Sequence, residues 1–327
     1  MTRTCIAIIV FLSGPTVLAQ APSTGSGQGY PAKPVRIIVP FAPGGAVDIT
    51  ARAIAPGLTE QLGQSFIVDN RGGAGGIIGA ELVAKSAPDG YTLLMGSNST
   101  VSVAPSLYPK NPYHPVRDFA PVSLVATMPF VLDVHPSVPV RTVKDLIALA
   151  KSKPGHLSMA SGGTGSSNQL VGELFQLLTG AKFTHVPYKG AAPAGIDLIA
   201  GQVDLLFDQL ASSANYIKSG KLRAVAVTSL TRAAVIPDVP TMLESGVPNL
   251  EATNVTGVLV PAGTSADIIA RLHAAVVKAL SAGPVRERFA GIGVEAVGST
   301  PEQFSAYIKE DFARWTKVVK DANIKVD

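Results

Sequence analysis

The chain of 327 residues carries 27 Lys and Arg against 23 Asp and Glu, a formal charge of +4, with one cysteine and few aromatics. Its basic residues are scattered rather than clustered, which argues against a nucleic-acid or anionic-membrane surface, and one cysteine excludes an internal disulfide or a cysteine zinc finger. The length and a hydrophobic share of 46% suit two lobes of buried parallel strands under alanine-rich helices, at roughly 100–200 residues per domain.

Arg3 precedes an apolar segment, 5–12, and Val17, Leu18 and Ala19 follow as a small-residue cleavage site. Residues 1–19 are therefore expected to be a secretory signal peptide cut after Ala19, because the apolar run is well short of the roughly 20 residues a spanning helix needs. Cys5 lies inside that segment, so the mature chain has no thiol. Residues 20–30, QAPSTGSGQGY, lack apolar periodicity and read as a flexible leader.

From Pro31 onward short apolar runs alternate with helical patterns, the signature of an α/β fold with mainly parallel sheets. The first strand, 35–39, breaks into Pro40, Phe41, Ala42, Pro43, Gly44 and Gly45 and restarts as a helix, 48–62, which Asp48 opens or caps. A strand, a glycine turn and a helix N-terminus in that order make a seat for an anion, since unpaired N–H groups and the helix dipole both point at it. A carboxylate as close as Asp48 must turn away, toward its own helix N–H groups, or meet a ligand ammonium or a water. Strands at 66–68 and 92–95 follow, with a helix at 77–85 between them. Gly73, Gly75 and Gly79 match a dinucleotide fingerprint poorly: the last glycine is one place too far, and Met95, Gly96 and Ser97 close the next strand without an acid. No nucleotide or other cofactor is expected. Ser97, Asn98 and Ser99 stand where α/β sheets place ligand groups, at the carboxyl end of a strand.

A second series opens at Thr142, whose spacing to Asp145 makes a capping box for a helix at 143–151. Strands are expected at 157–160, 184–187, 203–207 and 223–228, with helices at 168–178, 192–200 and 211–219. Here Ser161, Gly162, Gly163, Thr164, Gly165, Ser166 and Ser167 repeat the strand, loop and helix pattern with hydroxyls and free amides but no cation. That favours a carboxylate over a tightly held phosphate, which calls for a lysine or an arginine fork. Asp208 and Gln209 end a strand in the same ligand-facing position. The chain returns through a strand at 255–260, with Thr264 as the cap for a helix at 266–280, and ends in a helix at 301–321. Its stripe of Phe304, Ile308, Phe312, Trp315 and Val319 reads as core packing. Segments 130–135 and 256–260 are placed as crossing strands of a hinge.

The five histidines, at 114, 135, 156, 185 and 273, show no metal-ligand spacing, so no metal site is expected. A GxSxG elbow is absent, which leaves a hydrolase using Ser166 or Ser167 with a distant histidine as the enzymatic alternative.

The phrases PFAPGGAVD, NRGGAGGIIGAE, APDGYTLLMG, VPYKGAAPA, GQVDLLFDQ and GKLRAVAVTS, in order from Tyr30 to the C-terminus, resemble the periplasmic receptors of tripartite tricarboxylate transporters, the TctC or Bug-type solute-binding proteins. The resemblance implies a two-lobed, flytrap-like periplasmic-binding-protein fold with no enzymatic activity. It implies a monomer that captures a small carboxylate (a di- or tricarboxylate, an acidic amino acid or an aromatic acid) for membrane permease subunits, or reports it to a sensor kinase. Lobe 1 is expected at 31–131 plus 256–327 and lobe 2 at 132–255. Carried over onto this sequence, the ligand carboxylate is held by Phe41, Ala42, Gly44 and Gly45 with the helix start at Asp48, and by Ser161, Gly163, Thr164, Gly165, Ser166, Ser167 and Gln169. Tyr188, Asp208, Gln209, Ser97, Asn98 and Ser99 face the rest of the ligand. The sequence departs from the family pattern at Asn168 and Gln169, where a Ser and a His are common, at Ile77 in place of Asn, and at 254–256, which lacks a frequent Trp.

Overall fold

Phe119–Val134, a 16-residue strand (β4), joins two halves of one sheet in the computed structural model, which describes residues 29–108 and 110–321. The expected signal peptide and most of the expected leader lie outside the described residues. On one side of β4 lie β1 (Val35–Val39), β2 (Phe66–Asn70), β3 (Thr92–Ser97) and β9 (Thr253–Pro261); on the other lie β5 (Ser158–Ser161), β6 (Thr184–Pro187), β7 (Leu205–Gln209) and β8 (Arg223–Val227). The strand order is β2-β1-β3-β9-β4-β7-β5-β6, with β8 and the two-residue β10 (Glu295–Ala296) pairing off that path onto β4.

Parallel pairs β1–β2, β1–β3, β5–β6 and β5–β7 form the cores of the two lobes. The connections between lobes are antiparallel. β9 pairs with β3 on one edge and with Phe119–Pro129 of β4 on the other, and from Phe130 onward β4 pairs with β7 and β8. The hinge strand expected at 130–135 is thus the far end of a strand that starts at Phe119. Pro121 and Pro129 mask its alternation, and the register shifts between Pro121 and Ser123 and again between Leu124 and Ala126, as bulges allow where a proline cannot donate to the ladder.

Helices α1 (Ala46–Leu62), α2 (Ile77–Ala84) and α3 (Ala104–Leu107) belong to lobe 1, and α4 (Val143–Ser152), α5 (Ser167–Thr179), α6 (Ala191–Ile199) and α7 (Leu210–Lys218) to lobe 2. The chain then returns to lobe 1 through α8 (Ala266–Ser281), α9 (Gly283–Gly291) and α10 (Pro301–Asp321). No single described helix is long and apolar enough to cross a membrane. The Thr142–Asp145 capping box forms at α4. At α8, however, Ser265 is the cap and the Thr264 hydroxyl donates to Pro261 O at 2.8 Å. Lobe 1 buries Val35, Ile37, Val39, Leu93, Met95, Val258 and Val260 under α1 and α8, and lobe 2 buries Phe130, Leu132, Phe175, Leu205 and Phe207.

Phe304 and Ile308 of the α10 stripe seat on the opposite face of the lobe 1 sheet, in one cluster with Ile38, Leu94 and Leu259, whereas Trp315 and Val319 pack with Val103, Leu107 and Leu170. The Phe304 ring lies on the backbone of Gly257, leaving no room there for a β-carbon. Phe304→Ala is expected to cost about 3–5 kcal/mol of stability, the usual loss for an emptied aromatic site, read as a shifted urea midpoint.

Candidate functional site

β1 delivers the chain to the Pro40–Gly45 turn, and Gly45, in extended backbone, is the N-cap of α1 without a side-chain bond. The helix therefore opens at Ala46, two residues earlier than the sequence pattern gives, and Asp48 is its third residue rather than its cap. The Asp48 carboxylate is buried. It accepts Gly44 N–H at 2.9 Å, Asn70 Nδ2 at 3.0 Å and Arg52 Nε at 2.9 and 3.0 Å. Both oxygens are thus directed at Arg52, Asn70 and the preceding turn, not at the helix N–H groups. Burial alone would raise its pKa; the bonds from Arg52, Gly44 and Asn70 outweigh that and hold the carboxyl below its ordinary value. The negative charge is spent locally, so it does not oppose the positive end of α1.

In lobe 2 the Ser161 hydroxyl accepts Gly163 N–H at 3.1 Å and pairs with His185 Nε2 at 2.7 Å. Burial holds that imidazole below its usual pKa. Ser166 caps α5 by accepting Gln169 N–H, and Gln169 Oε1 folds back to accept Gly165 N–H at 2.8 Å. Ser167 reaches across to lobe 1: its N–H donates to Ser99 Oγ at 2.9 Å, and Ser99 Oγ donates to its hydroxyl at 3.1 Å. Asn168 and Gln209 exchange amide bonds at 3.2 and 3.5 Å, while Asn168 Nδ2 also donates to Phe207 O at 2.7 Å. The histidine thus partners Ser161, and neither Ser166 nor Ser167 has the geometry of an activated nucleophile.

These pieces enclose a cavity of about 20 Å³ lined by Phe41, residues 45–48, Ser99, Asn168, Ala191 and Gln209. Four helix N-termini meet there. Residues 45–48 open α1, Asn168 is the second residue of α5, Ala191 is the first of α6 and Gln209 is the N-cap of α7. Each such end carries roughly half a positive charge together with unpaired N–H donors. Among the described residues no lysine or arginine lines this cavity. Helix N-termini gathered in this way offer amides, hydroxyls and dipoles suited to an anionic group.

The residues named from sequence divide into groups. Phe41, Gly45, Asp48, Ser99 and Gln209 line the cavity, whereas Gly163, Thr164 and Tyr188 line an outer groove of about 640 Å³ along the seam between lobes, beside Gly75, Tyr108 and Lys189. The Tyr188 hydroxyl donates to Asp197 at 2.7 Å, and burial with that bond pushes its pKa up to about 12. Ala42 holds the seam, its N–H donating to Lys189 O at 3.1 Å. Gly44, Ser161, Gly165, Ser166, Ser167 and Gln169 brace the loops. Asn98 is engaged elsewhere, donating to Tyr307 and Asp311 of α10 at 2.9 Å and accepting Val255 N–H at 2.7 Å. Asp208 lies under α7 and accepts Gln209 N–H at 2.8 Å; burial pushes its pKa up to about 7. Ser97 is buried outside the lining. Ala46, Val47 and Ala191 were not legible as site residues, because an alanine or valine offers only its backbone; the signal was their place at helix starts after Gly45 and Gly190. No group of three His, Cys, Asp or Glu among the described residues is arranged to hold a metal ion.

The sequence matches the profile of the tripartite tricarboxylate transporter family receptor over residues 50–324. It is 40% identical to the protein BugT of Bordetella pertussis, over 100% of this chain and 99% of that one. Two solved structures from Rhodopseudomonas palustris superpose with TM-scores of 0.87. One, with adipate, is 38% identical and the match covers 90% of this chain and 99% of that one. The other, MatC with bound malate, is 35% identical, with 89% and 100% covered.

Asp48→Asn is expected to lower stability at pH 7 by about 1–2 kcal/mol, less than a fully buried charged bond because Arg52 is half-exposed. A carboxylate with a depressed folded pKa stabilises above its unfolded pKa, near 3.9, and that contribution is lost as pH falls through the folded value. Urea titrations at pH 7 and pH 3 are expected to show a gap between wild type and variant at the first and a smaller one at the second.

Proposed function

Because the chain belongs to the tripartite tricarboxylate transporter receptor family, we propose that it captures a small organic carboxylate between its lobes in the periplasm and delivers it to membrane permease subunits. It does so as a monomer without a cofactor, after removal of residues 1–19. The lobes divide near residues 131 and 255, where β4 and β9 cross. The observation that carries the reading is the meeting of four helix N-termini in a cavity without a cationic side chain. Relatives holding adipate and malate support the ligand class.

Hydrogen bonds to a charged group contribute about 1.5–3 kcal/mol each net, and helix ends up to about 2 more. Four or five such contacts suffice for micromolar binding, roughly 8 kcal/mol, after the costs of ordering and closure. Closure brings the lobes into backbone contact. A β-carbon on Gly75 of lobe 1 would stand 2.5 Å from Thr164 O and 3.0 Å from Gly165 C of lobe 2, so this turn approaches its partner only as glycine. A ligand that touches both lobes favours that closed state through its differential affinity.

Calorimetry and thermal unfolding against a panel of dicarboxylates, tricarboxylates, acidic amino acids and aromatic acids are expected to reveal a binder. At a hundredfold excess over its Kd it stabilises the fold by about 2.7 kcal/mol; silence across the panel refutes the reading. Gly75→Ala is expected to weaken binding at least tenfold. Gly63→Ala is the control, with the same left-handed backbone at φ +70° and nothing within 4 Å of the added carbon. It costs about 1–2 kcal/mol of stability and leaves affinity unchanged; equal affinities for both variants remove the seam from the closing step.

A further inference from the structure

Ser99 and Ser167 are both buried, belong to different lobes and share two hydrogen bonds: Ser167 N–H donates to Ser99 Oγ at 2.9 Å, and the same hydroxyl donates to Ser167 Oγ at 3.1 Å. One residue of the opposite lobe thus satisfies the Ser99 hydroxyl as donor and as acceptor. Ser167 is the first residue of α5, so the amide it offers is one that finds no partner inside its own helix. Two further bonds cross the seam, Ala42 N–H to Lys189 O at 3.1 Å and the Tyr108 hydroxyl to Thr164 O at 3.2 Å, but both join residues that are partly or fully exposed.

The turn that carries Ser99 is built to present it. β3 leads into a π-helical turn, Ser99–Val103, which α3 continues; such wide turns are rare and recur at functional positions. From residue 98 to 102 every other polar side chain is tied down inside lobe 1. Asn98 Nδ2 and the Ser102 hydroxyl donate to Asp311 of α10, Thr100 Oγ1 accepts Ser97 N–H and donates to Ser97 O at 3.0 Å, and the Tyr113 hydroxyl donates to Thr100 O at 2.7 Å. Ser99 alone of these reaches the other lobe. We propose that Ser99 is an interlobe latch: held by the turn that Asp311 braces, it closes on the first amide of α5 and sets the ratio of closed to open protein before a ligand binds. The proposal rests on the two-lobe closure described above and adds what holds the closed state. A receptor whose competent state is fractionally populated binds with an affinity reduced by that fraction, so a latch raises affinity for every ligand alike and chooses among none. A direct ligand contact has a different signature, because it acts only once the ligand is present.

Cys5 is the one cysteine of the chain and lies in the expected signal peptide. Nitroxide labels can therefore be placed selectively at Ile78→Cys of α2 and Ile196→Cys of α6, exposed positions on the helices that flank the outer groove. Distances between them, measured by double electron–electron resonance without ligand, are expected to show a closed population in wild type. Ser99→Ala, which loses both bonds, is expected to lower the closed-to-open ratio at least about fivefold, what two hydrogen bonds at the low end of their net range amount to. Ser167→Ala keeps the backbone bond and is expected to fall between. Calorimetry with malate and adipate as probes is expected to show both affinities falling in Ser99→Ala by one common factor, no larger than the change in the ratio. No closed population in unliganded wild type, equal ratios in wild type and Ser99→Ala, or a rise in affinity once the α5 amide is freed overturns the latch. A loss of affinity with an unchanged ratio overturns it too and makes Ser99 a ligand contact. If neither acid binds, the distances decide the latch by themselves, so its failure and that of the carboxylate reading are told apart.

Discussion

Everything about the site depends on one arrangement: four helices present their N-terminal ends to a single enclosed space, and no cationic side chain stands among the residues that line it. Helix ends act as fixed partial charges only if they are shielded from water and if nearby negative charge is removed. Closure of the lobes supplies the first condition. The second is met by the Asp48 network, in which a carboxylate three residues into α1 is turned onto Arg52, Asn70 and Gly44 N–H. Arg52 therefore serves the site from behind, neutralising Asp48 rather than touching a ligand.

Such a design constrains the rest of the fold. To bring α1 from one lobe against α5, α6 and α7 from the other, the strands that precede them must end at the same seam, which parallel pairing within each lobe ensures. The lobes must also separate to admit a ligand. β4 is the strand shared between the halves, pairing with β9 as far as Pro129 and with β7 and β8 from Phe130 onward, with bulges in its lobe 1 part. Where the halves meet, backbone faces backbone: Ala42 N–H on Lys189 O, and Gly75 against Thr164 and Gly165. Contacts of this kind are short and easily broken, as a reversible clasp requires.

Much of this was legible in the sequence, and the shortfalls have physical causes. β1, β6 and α10 appear with their expected bounds because apolar runs and a leading proline mark them without ambiguity. The first part of β4 was hidden by its prolines and bulges. The opening of α1 was misplaced because Asp48 is a strong capping residue type, while the actual cap, Gly45, announces itself by backbone alone. At the site, the two amide-rich turns stood out through their glycines and hydroxyls. The partners supplied by tertiary contact did not: Asn98 looks like a ligand group but is claimed by Tyr307 and Asp311, more than two hundred residues away. No local pattern announces such a partner.

Helix dipoles attract any small anion, so they cannot choose among acids; the neutral side chains must. Asn168 and Gln209 lock one another in a reciprocal amide pair, which fixes the orientation of donors and acceptors at the lobe 2 wall in a way a lone hydroxyl would not. Neither group titrates. Of the residues lining the cavity, Asp48 is the one with an ionisable side chain, and it is held charged by its own partners. On the proposed function, recognition would then follow the ionisation of the ligand rather than that of the protein. Asn168 and Gln169 act likewise as amides that orient without carrying charge, the first through Gln209 and the second through Gly165 N–H.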